Sequence, residues 1–194
     1  MKTRLIVIDT ETGGLDAQKN ALLSLSALDT LDGEVFTAMI KPSPEWIVEP
    51  EAMRVNGFTL DFLEKYGRAE RGVMEDFALW LGERRYALLA GCNVAFDIGF
   101  LRAAGERVGL TLPLGYRSVD LQAVAWLAWE VGGLELPMGK DGLPKLSLSV
   151  ISEALGLGRT SKTHNCLEDT MLTWACLSKI GRCVEMAPRV EVEP

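Results

Sequence analysis

The chain reads as a mixed α/β domain, a five-stranded sheet that is antiparallel at first, then alternates with helices, and carries helices on its flanks. Three observations predict this. Apolar strand-like runs follow one another closely at residues 4–8, 21–28 and 35–40. Later short apolar runs alternate with stretches of helical period, the pattern of a mixed sheet. The length, 194 residues, suits one domain with a sizeable core.

Residues 4–8 (RLIVI) form a fully buried strand that ends at Asp9. The next two strands, 21–28 and 35–40, are joined through Asp32-Gly33, a dipeptide that favours tight hairpin turns. Pro42, Pro44 and Pro50 then break the chain into a loop. Helical patterning follows over 51–55 and again from Leu60, and Val73, Met74, Phe77 and Leu81 repeat at helical spacing. Residues 86–91 make a short apolar strand. A helix over 95–108 carries Ile98, Leu101 and Val108, and Val119 closes the fifth strand before a helix over 121–129. The stretch 131–145 holds four glycines and two prolines and reads as a mobile loop. Ser147 is placed to cap a helix reaching Leu155, with Gly156 stopping it. The last helix opens near Asn165 and runs to about Ile180. The expectation is one domain over residues 1–184 with a frayed, proline-bearing tail over 185–194.

Composition, 48% hydrophobic and 24% charged, is ordinary for a soluble globular protein. No apolar run approaches the roughly 18 residues that span a bilayer. The opening MKTRLIVIDTE lacks a small-residue cleavage site, so it reads as a strand and not a signal peptide, and a cytoplasmic protein without a membrane partner is expected. Cys92, Cys166, Cys176 and Cys183 form no CxxC pair, and there is a single histidine. That is poor material for zinc or a disulfide framework. A net charge of −7 argues against nonspecific nucleic-acid binding through a basic surface. It does not exclude a nucleic-acid enzyme, because a centre that gathers carboxylates around divalent cations is itself acidic.

Three short motifs carry chemistry. In Asp9-Thr10-Glu11, strand alternation sends both carboxylates to one face. Side by side they repel, unless a hard cation such as Mg²⁺ or Mn²⁺ sits between them; taken alone, the pair is equally a solvated strand end. In Asn93-Val94-Ala95-Phe96-Asp97, a strand turns into a helix with Asn93 at the cap and Asp97 in the first turn, which by itself is simple capping. In His164-Asn165-Cys166-Leu167-Glu168-Asp169, Asn165 and Glu168 have the form of a capping box. That puts Asp169 about one turn into the helix and His164 just outside it. His164 is the one imidazole in the chain and so the one candidate for a histidine base near neutral pH.

In order and spacing, Asp-x-Glu, Asn-x-x-x-Asp and His-x-x-x-x-Asp resemble the signature of the DEDDh, or DnaQ-like, 3′→5′ exonucleases, which include the epsilon proofreading subunit, RNase T, oligoribonuclease and the TREX enzymes. The resemblance covers the chain from Asp9 to Asp169 and implies an RNase H-like fold. It implies that Asp9, Glu11, Asp97 and Asp169 bind two Mg²⁺ or Mn²⁺ ions and that His164 is the general base. Leu15 matches the apolar residue that wedges against the terminal base, and Phe58, in Asn56-Gly57-Phe58-Thr59, the residue that packs the terminal nucleotide; a core phenylalanine is the equal alternative there. Thr12, Asn93 and Phe96 complete the candidate substrate-binding set. Two positions depart from relatives: Cys92 stands where a histidine is frequent, and Ser24 where a glutamate is.

The implied reaction is two-metal hydrolysis of the last phosphodiester, with release of nucleoside 5′-monophosphates from single-stranded DNA or RNA 3′ ends. DNA is slightly preferred because the layout is closest to the proofreading branch. The alternatives are an exoribonuclease of the oligoribonuclease or RNase T kind and a polymerase-associated proofreading subunit. A stand-alone enzyme, or a homodimer, is favoured over a polymerase partner. Arg159 and Lys162, like Lys140 and Lys145, are either contacts to the substrate backbone or solvated loop charges. Trp126 and Trp129 are core or partner-facing.

Overall fold

Strand β1 (Leu5–Thr12) is central, and its alternation sets the layers of the fold. Ile6 and Ile8 enter one core with α3 (Glu70–Gly82) and α4 (Val94–Arg107), while Val7 enters another with α5 (Leu121–Glu130), α6 (Leu148–Ala154) and α7 (Cys166–Glu185). The structure, a computed structural model, describes residues 4–84, 87–159 and 165–185. Among them no helix is long and apolar enough to cross a membrane.

The sheet has the order β4-β3-β2-β1-β5-β6. Strands β2 (Leu22–Asp29) and β3 (Val35–Lys41) continue an antiparallel meander from β1, and β5 (Leu88–Gly91) and β6 (Ser118–Asp120) add in parallel on the other side. All five expected strands are present. A sixth, β4 (Arg68–Ala69), is a two-residue edge pairing with Ile40 and Lys41, too short to leave a periodic signal. Helices α1 (Pro50–Asn56) and α2 (Leu60–Tyr66) sit beside the meander; Gly57 ends α1 at φ 74, a left-handed conformation that favours glycine.

Three segments differ from expectation, two of them for identifiable reasons. Strand β1 continues through the polar Asp9–Thr12 stretch because the pairs Asp9↔Ser26 and Glu11↔Ser24 keep its backbone in the ladder. The glycine- and proline-rich stretch 131–145 is pinned and not merely a loop: Leu134 and Leu136 are buried with α5–α7, and Gly139 N–H bonds Leu143 O at 2.7 Å. Helix α7 runs on to Glu185. The tail from residue 186, expected to fray, lies outside the described residues.

Candidate active site

Because Val7 points towards α7, Asp9 and Glu11 point the same way, at the end of β1 where α7 begins. The helix start is fixed by Asn165, whose Oδ1 accepts from the N–H groups of Leu167 and Glu168, both at 3.1 Å. This brings Asp169, one turn in and buried, to the two strand acids. Ligand oxygens of Asp9, Glu11 and Asp169 all lie within 4.8 Å of one another, a group able to hold a metal ion. Cys166 ties helix to strand, its thiol donating to the Asp9 carbonyl at 2.7 Å.

Thr10 alternates to the opposite side, towards α4, and its hydroxyl donates to Asp97 Oδ1 at 2.7 Å. Asp97 is outside the 4.8 Å group but raises Asp9 electrostatically. Burial pushes the Asp9 carboxyl well above the ordinary range, followed by the charges of Asp97, Glu11 and Asp169, against one lowering bond from Cys166. Burial likewise pushes Asp97 up to about 7. Such mutual repulsion is what a cation relieves, and an all-oxygen carboxylate set is the donor chemistry of Mg²⁺ and Mn²⁺. The residues fit the implied metal.

The turn carrying Asp97 is not held as its sequence suggests. Asn93 is at φ 62 and ψ 45 and makes no side-chain cap. Asp120, at the end of β6, caps instead: Oδ1 accepts from Asn93 N–H at 3.2 Å and Oδ2 from Val94 N–H at 3.0 Å. Asp120 Oδ1 also accepts from Gln122 N–H at 2.8 Å, so one carboxylate starts both α4 and α5. A partner from another strand leaves no local trace in the sequence.

Of the expected substrate-binding residues, Thr12, Leu15 and Phe96 line one cleft of about 270 Å³ beside Glu11. Leu15 is 85% exposed there. The loop behind it requires Gly13, whose Cβ would stand 2.7 Å from the Ile47 carbonyl oxygen. Phe58 lines a different cleft, of about 500 Å³, with Ser24, Asn165 and Cys166. Asn93 lines neither. Asn56, not singled out from sequence as a site residue, is buried between the two clefts, accepting from Phe58 N–H and donating to Thr12 O. Arg159 reaches Asp169 instead of solvent. The expected base, His164, and Lys162 lie outside the described residues.

The chain is similar to known exonucleases and polymerases. A family model described as Exonuclease (RNase T) matches residues 6–177. The PolC-type DNA polymerase III of Thermotoga petrophila is 27% identical over 193 residues, covering 96% of this chain but 12% of the polymerase. That of Halalkalibacterium halodurans is 28% identical over 111 residues, 57% of this chain and 8% of the polymerase. Among solved structures, product-bound exonuclease I superimposes with a TM-score of 0.80 at 20% identity, over 96% of this chain and 46% of that one. Escherichia coli exonuclease I in complex with a dT13 oligonucleotide gives a TM-score of 0.80 at 22% identity, over 95% and 43%. The chain therefore spans a small part of these polymerases and less than half of these exonucleases.

Proposed function

The chain belongs to the RNase T exonuclease family, and from that premise we propose that it is a 3′→5′ exonuclease on single-stranded nucleic acid, with DNA preferred to RNA. One observation carries the reading: Asp9, Glu11 and Asp169, from two separate elements, put their oxygens within 4.8 Å of one another, with Asp97 adding its charge. The DNA preference draws support from the polymerase relatives and from the likeness to an exonuclease that binds dT13.

In this reading Asp9, Glu11, Asp97 and Asp169 hold two Mg²⁺ or Mn²⁺ ions. Bound there, divalent cations supply charge neutralisation at the scissile phosphate and an acidified water. The protein's own groups do the rest. Thr10 and Cys166 fix the Asp97 carboxylate and the Asp9 backbone. Leu15 and Phe96 confine the terminal nucleotide in the cleft beside Glu11. His164, the one histidine of the chain, takes the proton from the attacking water.

Digestion of matched DNA and RNA oligonucleotides labelled at either end, with Mg²⁺, Mn²⁺ or EDTA, tests the proposal. Mononucleotide release from the 3′ end that EDTA stops, and that is faster on DNA, is expected. Release from the 5′ end or internal cutting overturns it.

A further inference from the structure

The exonuclease reading gives no role to Phe62 and Tyr66, which extend the aromatic surface of Phe58 along α2. Phe58, Phe62 and Tyr66 are spaced four apart and so share one side of the helix and its lead-in. Leu63 points the other way, fully buried in a small cluster with Ala21 and Leu23, and that anchor turns Phe62 and Tyr66 outwards. They are 40% and 52% exposed. The rings form a continuous row: Phe58 stacks on Phe62 at 6.1 Å between centroids and 14° between planes, and Phe62 meets Tyr66 at 4.9 Å.

Phe58 and Phe62 form one wall of the cleft of about 500 Å³, with Thr37 and Met39 of β3 and the start of α7 as the others. Among the described residues, none of those lining it is charged. Two of its lining residues adjoin the acids: Cys166, whose thiol donates to the Asp9 carbonyl, and Ser24, which pairs with Glu11 across β1 and β2. A groove with an aromatic wall and no charge among its described lining residues, next to the residues that contact the acids, suits bases and not phosphates.

We propose that Phe62 and Tyr66 continue the groove as a stacking track for the bases upstream of the 3′ end, so that this enzyme grips single-stranded substrate by its bases. The proposal rests on the exonuclease reading and concerns a different part of the surface from the terminal-nucleotide cleft. It also gives an acidic nuclease, net charge −7, a hold on its polyanionic substrate that does not depend on phosphate contacts. Base stacking takes over where phosphate contacts are sparse.

Fluorescence anisotropy in EDTA, with 5′-labelled trinucleotide and dodecanucleotide DNA, tests the track without turnover. Phe62→Ala with Tyr66→Ala should weaken dodecanucleotide binding by roughly ten-fold or more and bring it towards that of the trinucleotide. Phe62→Tyr and Tyr66→Phe should keep the wild-type length dependence. The wild-type dodecanucleotide affinity should also change little with salt. Unchanged dodecanucleotide binding in the double variant overturns the track, as does an equal loss for both lengths. So does a change in oligomeric state without a change in DNA binding, which assigns the face to a protein partner. Failure of the wild type to release nucleotides from labelled 3′ ends overturns the exonuclease reading instead, and the binding series separates the two.

Discussion

The guanidinium of Arg159 lies 2.7 Å from Asp169 Oδ2, an ion pair whose side chains are 14% and 4% exposed. From sequence this arginine was a loop charge or a contact to the substrate backbone; in the fold it offsets one acid of a crowded anionic centre. Breaking a buried pair from one side is far more costly than losing a surface pair. Arg159→Ala should lower the stability of the metal-free protein by roughly 3 kcal/mol. Urea unfolding in EDTA checks this, and a loss below about 0.5 kcal/mol would place the pair with ordinary surface contacts.

A second expectation concerns pH. Burial holds the Asp97 carboxyl at about 7, against the hydrogen bond from Thr10, and Asp9 is displaced in the same direction. A carboxyl that keeps its proton more tightly folded than unfolded gives stability that is fully present below the unfolded value near 4 and lost as pH rises towards 7. In EDTA the protein should therefore become less stable between about pH 4 and pH 7, with Asp97 contributing on the order of 4 kcal/mol. Asp97→Asn should flatten that slope. A wild-type profile that rises through this window, or one that Asp97→Asn leaves unchanged, would contradict the assignment.

How much of this was legible in the sequence varied with the range of the interaction. The five strands, the shared face of Asp9 and Glu11, and the Asn165 cap follow from period and spacing, which are local. The cap of α4 was misread because Asn93 offers a capping side chain in place, whereas the group that acts, Asp120, is 27 positions away. Arg159 and the buried Leu134 and Leu136 were misread for a similar reason. Each lies in a glycine-rich stretch whose composition says loop, and only the folded neighbours decide burial.

Asp120 gives the third prediction. It satisfies the N–H groups of Asn93, Val94 and Gln122 at once. Asp120→Ala should cost about 1–2 kcal/mol and lower turnover more than substrate affinity, because the helix that presents Asp97 loses its start. Asp120→Asn, which keeps an acceptor, should recover part of both. Thermal unfolding and steady-state kinetics on the same preparations check it, and a normal turnover number in Asp120→Ala would refute the positioning role.

On the proposed function, the acids at the end of β1 hold the divalent metal needed for cleavage at 3′ ends. The most direct test of this role is digestion of a 5′-labelled oligonucleotide in Mn²⁺ by the wild type and by Asp9→Asn, followed over time on a sequencing gel. The wild type should give a ladder that shortens from the 3′ end. Asp9→Asn should lose at least roughly a hundred-fold in rate, several kcal/mol of transition-state stabilisation, in a protein that stays folded. An Asp9→Asn protein that shortens the oligonucleotide at the wild-type rate would contradict that role.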